Sequence, residues 1–142
     1  MPNTKQVSLA VAQLMPRIIQ GVHLDFLTQG SITQTQFLVL VAIHSRQKCA
    51  MNVLADSMQV SMPTISGIVD RLVKAGYVQR VAGLEDRRQV VVGLTPKGQK
   101  MIARFQVAVS TRWQEVLKGL SKVELNSFHQ VVLKLTENLR KK

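Results

Sequence analysis

The hydrophobic pattern of this chain changes period at Gly76, and that change constrains the fold more than any other feature of the sequence. Before it, over residues 62–75, Ile65, Val69 and Leu72 recur at helical spacing. After it, residues 77–82 and 89–94 are runs of β-forming residues separated by the six residues GLEDRR, the pattern of a hairpin with a charged tip. Ser61 is a good N-cap for the helix, and Pro63 is tolerated in a first turn whose N–H groups have no helical partner. Gly76 stands where a helix end favours glycine. A shorter apolar-periodic segment, 51–58, precedes it across the turn Gln59-Val60. Two helices joined by a tight turn and followed at once by a hairpin predict a winged helix-turn-helix.

Longer helices flank this unit. Val7, Val11, Leu14, Ile18 and Val22 predict a helix over about 5–29, kinked at Pro16, which removes one backbone hydrogen bond and crowds the carbonyl of Ala12. Thr33 and Gln36 form a capping box for a helix over 34–46, whose continuous FLVLVAI predicts burial on most sides. Thr95-Pro96 opens a helix over about 96–118, and the box Ser121/Glu124 opens the last, 122–140. The last helix carries Leu125, Phe128, Val132, Leu135 and Leu139 on one stripe, about 21 Å long at 1.5 Å per residue. A winged helix of roughly 60 residues is too small to cover that stripe and the N-terminal one as well. Pairing about a two-fold axis hides both, so a homodimer is expected. At 142 residues the chain is read as a single domain, 1–142. Within it, 32–98 is the winged helix-turn-helix, and 1–30 and 99–142 are dimerisation helices. The fold class is mainly α with a small β-hairpin wing.

Composition narrows the function. The 19 Lys and Arg outnumber the 8 Asp and Glu for a formal charge of +11, which favours an anionic partner. The excess is spread over the whole chain and does not locate a face. Hydrophobic residues make up 46%, enough for a core. The longest apolar run, 37–43, is far shorter than the roughly 20 residues of a membrane span, and the N-terminus is a poor secretory signal. No membrane partner is expected. A single cysteine excludes an intrachain disulfide and suits the cytoplasm. Few aromatics argue against a stacking platform for single strands.

The candidate binding face lies on helix 62–75. Pro63, Gly67, Asp70 and Lys74 share an arc of about 60° opposite Ile65, Val69 and Leu72, with Thr64, Ser66 and Arg71 on the shoulders. A helix that reads a major groove needs short hydroxyls, a small residue for close approach and a few long basic arms. Gly67 costs about 1 kcal/mol against alanine, which makes sense if something must come close. The hairpin adds Arg80 on its first strand and Arg87 and Arg88 at its tip, suited to a narrow, negatively charged groove. A solvated surface helix would also show such an outer face, and a solvated turn with an Asx bond from Asp86 such a tip. The combination is more specific than either part.

Over 32–98 the chain resembles the MarR family (multiple antibiotic resistance regulators). The resemblance rests on ITQTQFLVL, LADSMQVSMPTISGIVDRLVKAGYVQR and EDRRQVVVGLTPKG, the D-R-R element followed by L-T-P-K-G being the most specific. It implies a homodimeric, ligand-responsive winged-helix protein that binds pseudo-palindromic double-stranded DNA, usually as a repressor. Carried over by position, it implies recognition-helix contacts at Ser61, Pro63, Thr64, Ser66, Gly67 and Arg71. It further implies that Arg88 enters the minor groove, oriented by Asp86, with Arg87 near phosphate. Lys74 and Arg80 are added as phosphate contacts. The resemblance also implies a small aromatic or anionic effector between the dimer helices and the winged helix, where Arg17, His23, His44 and Trp113 could line the cleft.

The chain departs from redox-sensing members, which carry a cysteine in the first helix. Here Cys49 reads either as a thiol of lowered pKa beside Lys48 or as a small buried hydrophobe. His23, His44 and His129 are scattered singly, so neither a metal site nor a cofactor is expected. No dinucleotide fingerprint, P-loop, zincin motif or nucleophile elbow is present, and Ser45-x-x-Lys48 lacks the companion elements that would give it meaning, so an enzyme is not expected. Two alternatives stay open at this point: a nonspecific architectural DNA-binding protein, and a winged helix used for protein interaction.

Overall fold

The computed structural model describes residues 1–22, 32–83 and 89–141. In chain order it contains α1 (Thr4–Gln20), α2 (Gln34–Arg46), β1 (Lys48–Ala50), α3 (Met51–Met58), α4 (Met62–Lys74), β2 (Val78–Ala82), β3 (Val90–Leu94), α5 (Pro96–Leu117) and α6 (Lys122–Arg140). The fold is mainly α with one small antiparallel sheet, as the periodicities predict. Contacts divide the chain into two compact units, one of residues 23–108 and one of residues 1–22 with 109–142.

The first unit is a winged helix around a single core. Leu40, Ile43, Leu54, Ile65, Val69, Leu72, Val78 and Val92 are buried almost completely. Phe105 of α5 packs its ring on Phe37 of α2, centroids 4.8 Å apart. With Met101 and Ile102 also buried, the first three turns of α5 belong to this core.

The sheet has the order β1-β3-β2, with Cys49 opposite Val92 and Arg80 opposite Val92 on its other side. Strand β1 is absent from the sequence reading. Three residues carry no readable period, and they become a strand only because β3 offers them an edge. Helix α1 ends at Gln20 with Gly21 as its cap, well before the predicted 29; residues 23–31 lie outside the described part. The helix runs through Pro16.

Helix ends follow local chemistry. The Asn3/Gln6, Thr33/Gln36 and Ser121/Glu124 boxes are all closed by reciprocal bonds. At the end of α4, Gly76 adopts φ +85° while Tyr77 N–H donates to Leu72 O and Gly76 N–H to Val73 O, the Schellman arrangement. L-T-P-K-G then acts as a staple across this end. The Thr95 hydroxyl donates to Gly76 O and accepts from Gly98 N–H, while Lys97 Nζ donates to Ala75 O and sits 4.5 Å over the Tyr77 ring. A Cβ at Gly98 would lie 2.2 Å from Tyr77 O, so only glycine lets α5 start this close to the end of α4.

In the second unit, Arg112 of α5 caps α1, its Nε donating to Ile18 O (3.3 Å) and its Nη2 to Arg17 O (3.1 Å). Gly21 leaves room for that guanidinium, since a Cβ there would lie 2.1 Å from Arg112 Nε. Trp113 packs on Phe128 of α6 at 5.8 Å between centroids. The outward stripes are bare. Leu125, Phe128, Val132, Leu135 and Leu139 are 44, 36, 39, 54 and 74% exposed, and Val7, Val11 and Leu14 of α1 are exposed as well. None of the described helices is long and apolar enough to cross a membrane.

Candidate nucleic-acid interface

Helix α4 presents the two faces read from its sequence. Ile65, Ile68, Val69 and Leu72 are buried, whereas Ser61, Pro63, Thr64, Asp70, Arg71 and Lys74 are exposed and Ser66 and Gly67 half-buried. The Ser61 hydroxyl accepts from Thr64 N–H (3.3 Å) and donates to Thr64 Oγ1 (2.9 Å), so the first-turn hydroxyls hold one another in place. The positive end of the helix dipole opens on the same side.

Gly67 is the informative position. Among the described residues, a Cβ built there meets nothing within 4 Å, in contrast to Gly98 and Gly21. Packing inside the chain therefore gives no reason for glycine, yet a helix-interior glycine costs roughly 0.5–1 kcal/mol.

Arg80 Nη2 donates to Asp70 Oδ1, an ion pair joining β2 to α4. Both side chains are substantially exposed, so the pair contributes at most about 1 kcal/mol of stability. Its effect is on charge. Asp70 is the acidic group of the outer face, and Arg80 cancels it beside Arg71 and Lys74. The contact spans ten residues between different elements, which no helical or strand period could reveal. A cleft of about 330 Å³ lies between the start of α3, α4 and the wing strands, lined by Ser66 and Arg80 together with Asn52 and Gln89. Sequence reasoning missed Asn52 and Gln89, since each is an unremarkable polar residue until the strand is folded against the helix.

Asp86, Arg87 and Arg88 lie outside the described residues. Beyond the last paired residues of β2 and β3, Gly83 N–H donates to Gln89 O at 3.0 Å. Among the effector candidates, Arg17 and Trp113 belong to the unit of the terminal helices, where the Arg17 carbonyl accepts from Arg112 and Trp113 stacks on Phe128. His44 is exposed in the last turn of α2, in the other unit, and His23 lies outside the described residues. No group of His, Cys, Asp and Glu that could hold a metal occurs among the described residues. Cys49 is 2% exposed, and burial pushes its thiol pKa up, offset only in part by the Arg46 guanidinium. The lowered pKa entertained from its neighbour Lys48 is thereby corrected: desolvation outweighs the nearby positive charge.

Comparison with known proteins agrees with this geometry. The MarR family model matches residues 32–90. The transcriptional regulator Tm0710 from Thermotoga maritima superposes with a TM-score of 0.77 at 20% identity, covering 97% of this chain and 96% of that one. Wild-type MarR from E. coli, in its apo form, does so with a TM-score of 0.65 at 25% identity, covering 95% and 97%. MepR from S. aureus, in its complex with DNA, gives a TM-score of 0.65 at 23% identity, covering 92% and 95%. The matched residues 32–90 hold the helix-turn-helix and the first wing strand, and over them this chain is similar to the MarR family.

Proposed function

We propose that this protein is a sequence-specific transcriptional regulator of the cytoplasm. It binds a pseudo-palindromic duplex as a homodimer and represses until a small effector releases it. Helix α4 enters the major groove, and the Arg87-Arg88 tip reaches the adjacent minor groove, with Arg71, Lys74 and Arg80 near phosphates. The observation that carries this reading is the outer side of α4: an open position at Gly67 in a helix that also exposes the Ser61 and Thr64 hydroxyls and the Arg71 and Lys74 cations. The bare stripes of α1 and α6 support the homodimer, because monomers rarely expose apolar ridges of this length. The MepR complex with DNA supports the nature of the partner.

Selection of duplexes from a random pool, followed by titration at fixed salt, tests the proposal. A regulator prefers its selected site over random DNA by about 10³ or more. Equal affinity for both would favour an architectural protein, and failure to bind any duplex at low salt a protein-interaction module.

A further inference from the structure

The wing sheet has a second face, turned away from α4. Side chains alternate along a strand, so Cys49 and Val92 point into the core while Lys48, Gly93 and Gln79 form a row across β1, β3 and β2 on the other side. Gly93, at the centre of that row, has no side chain, and the floor is sunk between Lys48 and Gln79. The first turns of α5 wall this floor with Gln99, Ile102 and Gln106, and the end of α2 brings His44 and Arg46 to its rim. The result is a cleft of about 960 Å³, at the upper end of the roughly 300–1,000 Å³ of small-molecule sites.

The cleft has a strong electrostatic sign. Among the described residues no carboxylate lines it, and neither Arg46 nor Lys48 makes an ion pair. The end of α2 carries the equivalent of about half a negative charge, which one cation more than offsets, so positive charge is left over. No Phe, Tyr or Trp ring lines it among the described residues either; its remaining polar groups include glutamine amides, which both donate and accept.

We propose that this cleft binds a phosphorylated polyhydroxy metabolite of sugar-phosphate size. Arg46, Lys48 and His44 take the phosphate, and Gln79, Gln99 and Gln106 take hydroxyls. A guanidinium and an ammonium together match a phosphate dianion, and amides match hydroxyls better than they match a flat apolar ring. The site also has a route to the recognition helix. Gln79 immediately precedes Arg80, whose bond to Asp70 aligns the wing strand with α4, so a ligand held by Gln79 pulls on that alignment. This regulatory consequence rests on the DNA-binding proposal, whereas the binding itself does not.

Calorimetry on the full-length protein without DNA, at fixed ionic strength, compares glucose 6-phosphate, glucose, inorganic phosphate and benzoate. Glucose 6-phosphate is expected to bind one per chain, at least tenfold more tightly than each of the other three. Lys48→Gln and Arg46→Gln should each weaken it at least tenfold, with Tm unchanged because both residues are exposed. Gln79→Ala should weaken the sugar phosphate but not inorganic phosphate, and Lys134→Gln on α6 should change neither. No saturable binding, or binding indifferent to Lys48→Gln and Arg46→Gln, overturns the site. Equal affinity for inorganic phosphate, or tighter binding of benzoate, overturns the assigned ligand class. A protein that binds glucose 6-phosphate as described yet shows no duplex preference leaves the site standing and removes its regulatory role.

Discussion

Replacing Gly67 by alanine should move stability and DNA affinity in opposite directions. Among the described residues the added methyl meets no atom within 4 Å, so no strain opposes it and no packing rewards it. What remains is helix propensity, about 0.7–1 kcal/mol in favour of alanine in a helix interior. That is roughly a fivefold gain in the folding equilibrium and, for a chain of this size, a rise in Tm of about 3–5 °C. On the duplex the same methyl occupies the space through which the helix approaches base edges. Loss of even one modest base contact, taken at about 1 kcal/mol per half-site, costs a dimer about 2 kcal/mol, or roughly thirtyfold in affinity. Thermal denaturation and a duplex titration at one salt concentration, made on the same preparation, read both quantities. The slope of affinity with salt should stay as in the parent protein, because no phosphate contact is removed. A variant that is more stable and binds its site undiminished would refute the close approach. A variant less stable than the parent would refute the claim that this position is open.

Further outcomes follow from other contacts. Gly98→Ala should cost about 2–3 kcal/mol and lower Tm by roughly 10 °C, because its Cβ collides with the Tyr77 carbonyl rather than with a yielding side chain; an unchanged Tm would refute the staple. If the proposed dimer forms through the bare stripe of α6, Leu135→Asp should turn it into a monomer in sedimentation at micromolar concentration while the winged helix keeps its helical signal; a dimer that persists would place the interface elsewhere. Cys49 should resist thiol reagents at pH 8 until denaturant is added. Because its pKa is raised in the fold, stability should fall as pH rises through the range where only the unfolded chain's thiol ionises, and this fall should vanish in Cys49→Ala; rapid modification of the native protein would refute its burial.

Much of this protein was legible in one dimension. The capping boxes at Thr33 and Ser121, the N-cap Ser61 and the left-handed Gly76 all act within a few residues, and each forms as read. The two faces of α4 follow from spacing alone, since a period of 3.6 residues puts Ile65, Val69 and Leu72 on one side whatever they pack against. The L-T-P-K-G segment was recognisable as a family mark, but its physical purpose was not: Thr95 and Lys97 bond to carbonyls about twenty residues earlier.

The sequence by itself determined the order of the described helices and of the two hairpin strands, the capped ends at Thr33, Ser61, Gly76 and Ser121, and the sign and composition of the outer face of α4, because propensity, capping and periodicity are local. Tertiary structure decided that Lys48–Ala50 becomes a strand, that Asp70 is neutralised by Arg80, that Asn52 and Gln89 join Ser66 in one cleft, and that Gly93 opens another on the far face of the sheet. Each of these depends on the register of β3 against its neighbours and of the sheet against the helices. A one-residue slip in that register would reverse every side chain, and it is set by packing at long range rather than by any residue's own preference.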